Sequence, residues 1–191
     1  MSGDGFHVHG PHDHELEHAA QHGGDRMTNQ IAMFTAIIAT VGAIFSYMGG
    51  ATQANAGLYK NNAAIKKTEA SNQWNYFQSK STKQSLAELA RDLAPEDKKA
   101  TYQAKVERYD KEKNEIKDVA DKLEAEAKAW DEQSDEQMHQ HHRWAQSTTA
   151  LQVAIALAAI ALLTKKRWLE YGMFGVAAIG LAIGTAAAMH I

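Results

Sequence analysis

The sequence contains no cysteine, which excludes disulfides and thiolate sites of either catalytic or metal-binding kind. Proline is almost as scarce: Pro11 and Pro95 are the only two in 191 residues. Charge is missing in blocks. Residues 31–50, 145–164 and 171–189 hold no Asp, Glu, Lys, Arg or His. Each block is about 20 residues, the length at which a helix crosses a hydrocarbon core of roughly 30 Å. The mean hydropathy is still −0.45, because the segment between the first two blocks is dense in charge. Three buried helices of a soluble globule would need other segments to cover them, and the sequence offers none. Catalytic signatures are missing too: no glycine-rich phosphate loop, nucleophile elbow or HExxH is present, so no enzyme is expected. The net charge of −3 points to no nucleic-acid partner. Without ionisable groups inside the apolar blocks, a pump or proton-coupled transporter is disfavoured.

What is present is a seam. From Tyr102 the series Val106, Tyr109, Lys113, Ile116, Ala120, Leu123, Ala127, Trp130, Ser134, Gln137, His141 and Trp144 steps by four and three. It continues through Thr148, Leu151, Ile155 and Ala158 to Leu162, and only Lys113 bears a fixed charge. A spacing that averages 3.5 residues belongs to a left-handed coiled coil, and this one runs from charged sequence into an apolar block. Pro95, followed by Glu96 and Asp97, suits the first turn of a new helix and sets the tip of a hairpin. The first arm is less regular. Ala54, Leu58 and Ile65 fit one helix face, Ala70, Trp74 and Phe77 another, and Leu86, Ala90 and Leu93 a third, so the predicted stripe drifts. A strict seam beside a drifting arm is expected to face another copy as well as its mate, with Val106, Tyr109, Ile116, Leu123, Trp130, His141 and Trp144 as packing residues. Gly180 and Gly184 form a GxxxG pair for close helix approach.

The expected fold is an all-α integral membrane protein: three transmembrane helices with a long antiparallel coiled-coil hairpin between the first and second. The expected segments are a His-rich leader with a short amphipathic helix (1–26), a first span (27–50), the hairpin (51–146, tip near 94–96), and spans at 147–164 and 168–189. The leader lacks the basic n-region of a secretory signal. Arg26, Lys165, Lys166 and Arg167 fall on one side, which the positive-inside rule makes cytoplasmic, with the hairpin periplasmic in a bacterial inner membrane.

Histidine is the residue type here that suggests ligand chemistry. His12, His14, His18 and His22 have spacings compatible with zinc or copper, and His139, His142 and His190 form a second group near span ends. His141 occupies a seam position and is expected to pack. No cofactor is required by the sequence, while copper or zinc is the ligand class these residues would take.

The stretches HDHELEHAAQ, TAIIATVGAIFSY and YKNNAAIKKTEASNQWNYFQSKSTKQ resemble a group of small bacterial membrane proteins, domain of unknown function 4337. The resemblance covers nearly the whole chain and is most distinctive at residues 66–74. It implies a bacterial integral membrane protein with a helical middle and implies no reaction. The functional expectation is a non-enzymatic, self-associating membrane protein, as scaffold or accessory subunit of a larger membrane complex, partnered by the lipid bilayer and by further copies. The alternatives are a copper- or zinc-binding membrane protein and a passive oligomeric pore.

Overall fold

The computed structural model describes residues 26–190, and among them the chain forms three helices: α1 (Arg26–Leu93), α2 (Glu96–Thr164) and α3 (Arg167–Ala188). No proline interrupts α1 or α2, which run for 68 and 69 residues. A hairpin at Ala94 and Pro95 joins them. Pro95 has no N–H to lose at a helix start, and its carbonyl accepts from the Lys98 N–H at 2.9 Å. Glu96 and Asp97 in the first turn of α2 and Arg91 in the last turn of α1 match the charges of the two helix ends.

The chain divides into two compact units, a hairpin unit (Gly50–His141) and an apolar unit built from the flanking segments. In the hairpin unit, cross-arm contacts fix the antiparallel pairing. Near its base the Ser134 hydroxyl donates to the Ala56 carbonyl at 2.9 Å, and the Tyr59 and Trp130 rings lie 5.5 Å apart. Further along, Lys66 pairs with Glu126 at 3.1 Å and Lys80 with Glu112 at 2.6 Å. Close to the tip, Arg91 donates to Gln103 at 2.8 Å. Every position of the series from Tyr102 to Leu162 is buried or half-buried. Lys113, the charged member, donates to the Gln84 side-chain amide oxygen Oε1 at 3.0 Å and lies 5.8 Å from the Phe77 ring centroid.

The first arm differs from the sequence expectation. Its buried stripe does not drift: Ala56, Ala63, Ala70, Phe77, Gln84 and Arg91 recur every seven residues. Tyr59, Lys66, Gln73, Lys80 and Ala87 form the adjoining row, three residues on from the first and also at sevens. Both rows are buried or half-buried. Of the three predicted faces, Ala70, Trp74 and Phe77 do lie inward, while the other two fail because they followed residue size. Ala54, Leu58, Ile65, Leu86 and Leu93 are all exposed, while the inward positions are filled mainly by alanine and by long polar side chains. Small residues let the arms approach until a side-chain hydroxyl reaches a backbone carbonyl across the hairpin. The stems of Lys66 and Lys80 cover apolar surface and keep their ammonium groups on carboxylates.

In the apolar unit, small residues again face inward. The buried stripe of α3 is Leu169, Met173, Ala177, Gly180, Gly184 and Ala187. Ser147, Leu151, Ala154, Ala158 and Ala161 of α2 pack with it, together with Ile31 and Ile38 of α1. Met33, Ile37, Ile44, Val153, Ile160 and Ile179 point outward. Alanine, glycine and serine fill most inward positions beside Ile31, Ile38, Leu151, Leu169 and Met173, and small residues at close helix contacts suit surroundings that are themselves apolar. All three helices contain a stretch long and apolar enough to cross a membrane. Lys165 and Lys166 link α2 to α3, and Lys165 takes the left-handed conformation (φ 53°), its N–H bonded to the Ala161 carbonyl at 2.8 Å.

Candidate functional site

The predicted histidine sites do not assemble among the described residues. His139 and His142 are exposed on α2, and His190 is exposed beyond the end of α3 with φ 56°. No three His, Asp or Glu side chains among the described residues converge as a metal-ligating group. His12, His14, His18 and His22 lie outside the described residues. His141 is half-buried, in line with its seam position.

The predicted packing residues are all buried or half-buried against their own chain. Val106 and Trp144 are buried, and Tyr109, Ile116, Leu123 and Trp130 are half-buried. Gly180 and Gly184 are buried as well. The Ser147 hydroxyl donates to the Gly180 carbonyl at 2.6 Å, and a Cβ at Gly180 would stand 2.8 Å from Leu151 Cδ2. The GxxxG pair is therefore used inside one chain, where the sequence left open whether its partner was another helix of the same chain or another copy.

Polar chemistry in the hairpin unit is concentrated at two places. The Trp74 indole N–H donates to Glu124 at 2.7 Å beside an open groove of about 650 Å³. Two cations, Lys67 and Lys128, and two anions, Glu124 and Asp131, line that groove, so its field selects neither an anion nor a cation. Farther toward the tip, the Lys80 ammonium lies 5.0 Å from the Tyr76 ring centroid and 5.8 Å from that of Tyr109 while bound to Glu112. Sequence reasoning missed this clamp because its members sit on two arms and share no motif. The seven-residue recurrence of Ala56, Ala63 and Ala70 was the available signal, since it fixes the register that brings them together.

These ion pairs give the hairpin a pH dependence. The hydrogen bond from Lys80 holds Glu112 below its ordinary 4.5, and the one from Lys60 holds Asp131 below its ordinary 3.8. Each contributes stability present above the ordinary value and lost as pH falls through the lower folded one. Lys60, Lys66, Lys80 and Lys117 are raised above 10.5, chiefly by hydrogen bonds to Asp131, Glu126, Glu112 and Asp121. Their contribution is present below 10.5 and lost as pH rises beyond it. Amide exchange of the hairpin is expected to be slowest, after correction for intrinsic rates, between roughly pH 5 and 10, and to lose protection toward about pH 3. Unchanged protection at that acid limit would show that the cross-arm pairs add nothing to hairpin stability.

Taken together, these features define an all-helical chain in which a long polar hairpin joins two helices, and three helices carry stretches able to cross a membrane. The chain belongs to the family described as Domain of unknown function (DUF4337), whose model matches residues 27–190. No curated protein and no solved structure matches it.

Proposed function

We propose that this protein is a non-enzymatic, self-associating membrane protein that acts as a scaffold or accessory subunit of a membrane assembly. Its place is the bacterial cytoplasmic membrane, with the N-terminus and the basic turn at Lys165–Arg167 cytoplasmic and the hairpin periplasmic. Arg26 and Arg167 line one recess of the apolar unit, which supports a single basic end. Trp168 and Tyr171 are exposed in the same first turns of α3, as suits rings at headgroup depth.

The observation that carries the reading lies in the hairpin unit. Its inward seam is filled by its own two arms, yet Leu86, Leu89 and Leu93 remain 60%, 57% and 78% exposed. Such residues on an otherwise polar element mark a surface that associates. The test is the mass of the tag-free chain in mild detergent, by light scattering with the detergent contribution removed. At least twice 21.0 kDa is expected. A mass of one chain at concentrations where the protein is otherwise intact overturns the proposal.

A further inference from the structure

We infer that the outward face of the α1 arm is a parallel, in-register contact between two copies of this chain. The inference rests on the self-association proposed above and names its face and geometry. Leu58, Ile65, Asn72, Ser79, Leu86 and Leu93 recur every seven residues along α1, and all six are exposed. Ala54, Asn61, Thr68, Asn75, Thr82 and Leu89 form a second row at sevens, also exposed throughout. Interleaved, the two rows step by four and three, the spacing of a helix-pairing seam. The arm thus has two such seams, on the order of 150° apart around its axis at the coiled-coil repeat. The buried one meets α2, and the other has no partner among the described residues.

The outward seam bears no charge over its whole length, although the arm around it carries Lys60, Lys67, Glu69, Lys83, Glu88 and Asp92. This is not a general property of the hairpin surface. The outward rows of α2 hold Arg108, Lys111, Glu115, Asp118, Lys122 and Glu132. An exposed stripe free of charge along the whole α1 arm, flanked by the equally uncharged row Gly57, Ala64, Ser71, Gln78 and Ser85, points to a dehydrated contact.

Several features identify a second copy as the occupant. Apolar residues lie at both ends of the seam, Leu58 and Ile65 at one and Leu86, Leu89 and Leu93 at the other, with Asn72, Asn75 and Ser79 between them. A foreign helix would have to match that order. A parallel copy in register matches it by identity, setting leucine on leucine and Asn72 on Asn72, where each amide supplies both donor and acceptor. The flanks are compatible as well. In such a pair the residue preceding each position of the Leu58 row faces the one five further on in the other copy. Glu69 then faces Ala64 and Lys83 faces Gln78, so no like charges meet. Direction follows from the membrane: two chains inserted the same way in one bilayer present α1 in the same sense. A two-helix contact over this length buries on the order of 1,200 Å² or more, enough for a stable interface.

Because the chain contains no cysteine, single cysteines test the face directly. Asn72→Cys, Ser79→Cys and Leu86→Cys, each in the full chain in mild detergent, are expected to form interchain disulfides under mild oxidation. Lys111→Cys and Glu132→Cys, on the outer face of the other arm, are expected to stay monomeric on denaturing gels. Leu86→Lys with Leu89→Lys, both at exposed positions that leave the hairpin core intact, is expected to halve the mass in light scattering. A multimeric mass with no cross-link at positions 72, 79 and 86 overturns this face while leaving self-association in place. Cross-linking between Leu58→Cys and Leu89→Cys chains, with neither linking to itself, overturns the parallel register. A one-chain mass for the unmodified protein overturns the self-association reading and this inference together.

Discussion

Ala120→Leu is expected to destabilise the hairpin by about 2 to 3 kcal/mol, while Ala125→Leu, five residues further on, changes its stability by only a few tenths. Both substitutions add the same three carbons to the same helix. Ala120 is fully buried and Ala125 is exposed. The difference lies in what stands opposite. Carried inward from Ser134 and Ala56 seven residues at a time, the register sets Ala127 against Ala63 and Ala120 against Ala70, and all four alanines are buried. Alanine facing alanine leaves no side chain that can rotate aside, so a leucine can be housed only by moving one arm off the other. Such movement also lengthens the neighbouring Trp74–Glu124 and Lys66–Glu126 contacts, now at 2.7 and 3.1 Å. Amide exchange in the full chain, read over residues 52–94 and 102–137, separates the two variants. Equal protection in both would mean that the arms are not held at alanine distance.

That alanine seam also marks where the fold was legible in the sequence and where it was not. On α2 the inward positions include Tyr102, Tyr109, Ile116, Leu123, Trp130 and Trp144, large enough to reveal the 3.5-residue period by inspection. The hairpin tip was equally plain, because one proline followed by two acids suits little else. On the α1 arm the same criterion finds the inward Ala70, Trp74 and Phe77 but otherwise selects the wrong face. Leu58, Ile65, Leu86 and Leu93 are outward, and Lys66, Gln73, Lys80 and Gln84 are inward. Hydrophobic residues tend to be inside, but the rule does not run in reverse: an exposed leucine is ordinary, and a buried lysine stem with a carboxylate at its head is stable. Counting every residue at sevens, whatever its size, would have found both α1 seams. Histidine chemistry had no such route. Spacing along the chain brings His139 and His142 within a turn of each other but says nothing of a third ligand, and among the described residues none joins them.

Gly184→Val is expected to cost about 3 kcal/mol in the apolar unit, the second large effect, and to exceed Gly180→Ala at about 1 to 2 kcal/mol. A Cβ at 184 would stand 2.5 Å from Phe45 Cζ and 2.8 Å from Ser147 Oγ. Neither neighbour can yield cheaply. The Phe45 ring is packed on Trp144 with centroids 5.1 Å apart, and the Ser147 hydroxyl is fully buried and committed to the Gly180 carbonyl at 2.6 Å. Turning that hydroxyl away leaves a buried O–H without its acceptor in an apolar setting, while the Gly180 carbonyl keeps only its helical partner. At Gly180 the nearest atom is a terminal methyl of Leu151, with Leu151 Cγ and the Ala150 methyl at 3.1 and 3.2 Å, so part of the strain is relieved by rotation. Gly172 and Gly175 have nothing within 4 Å of a Cβ, and alanine at either is expected to be neutral or slightly stabilising through helix propensity. Thermal unfolding in detergent therefore ranks the four variants: 184 lowest, then 180, with 172 and 175 level with the unmodified chain. If all four fall within a few tenths of a kilocalorie of one another, close backbone approach does not hold these helices together, and the buried glycines would have to be explained by contacts outside the chain.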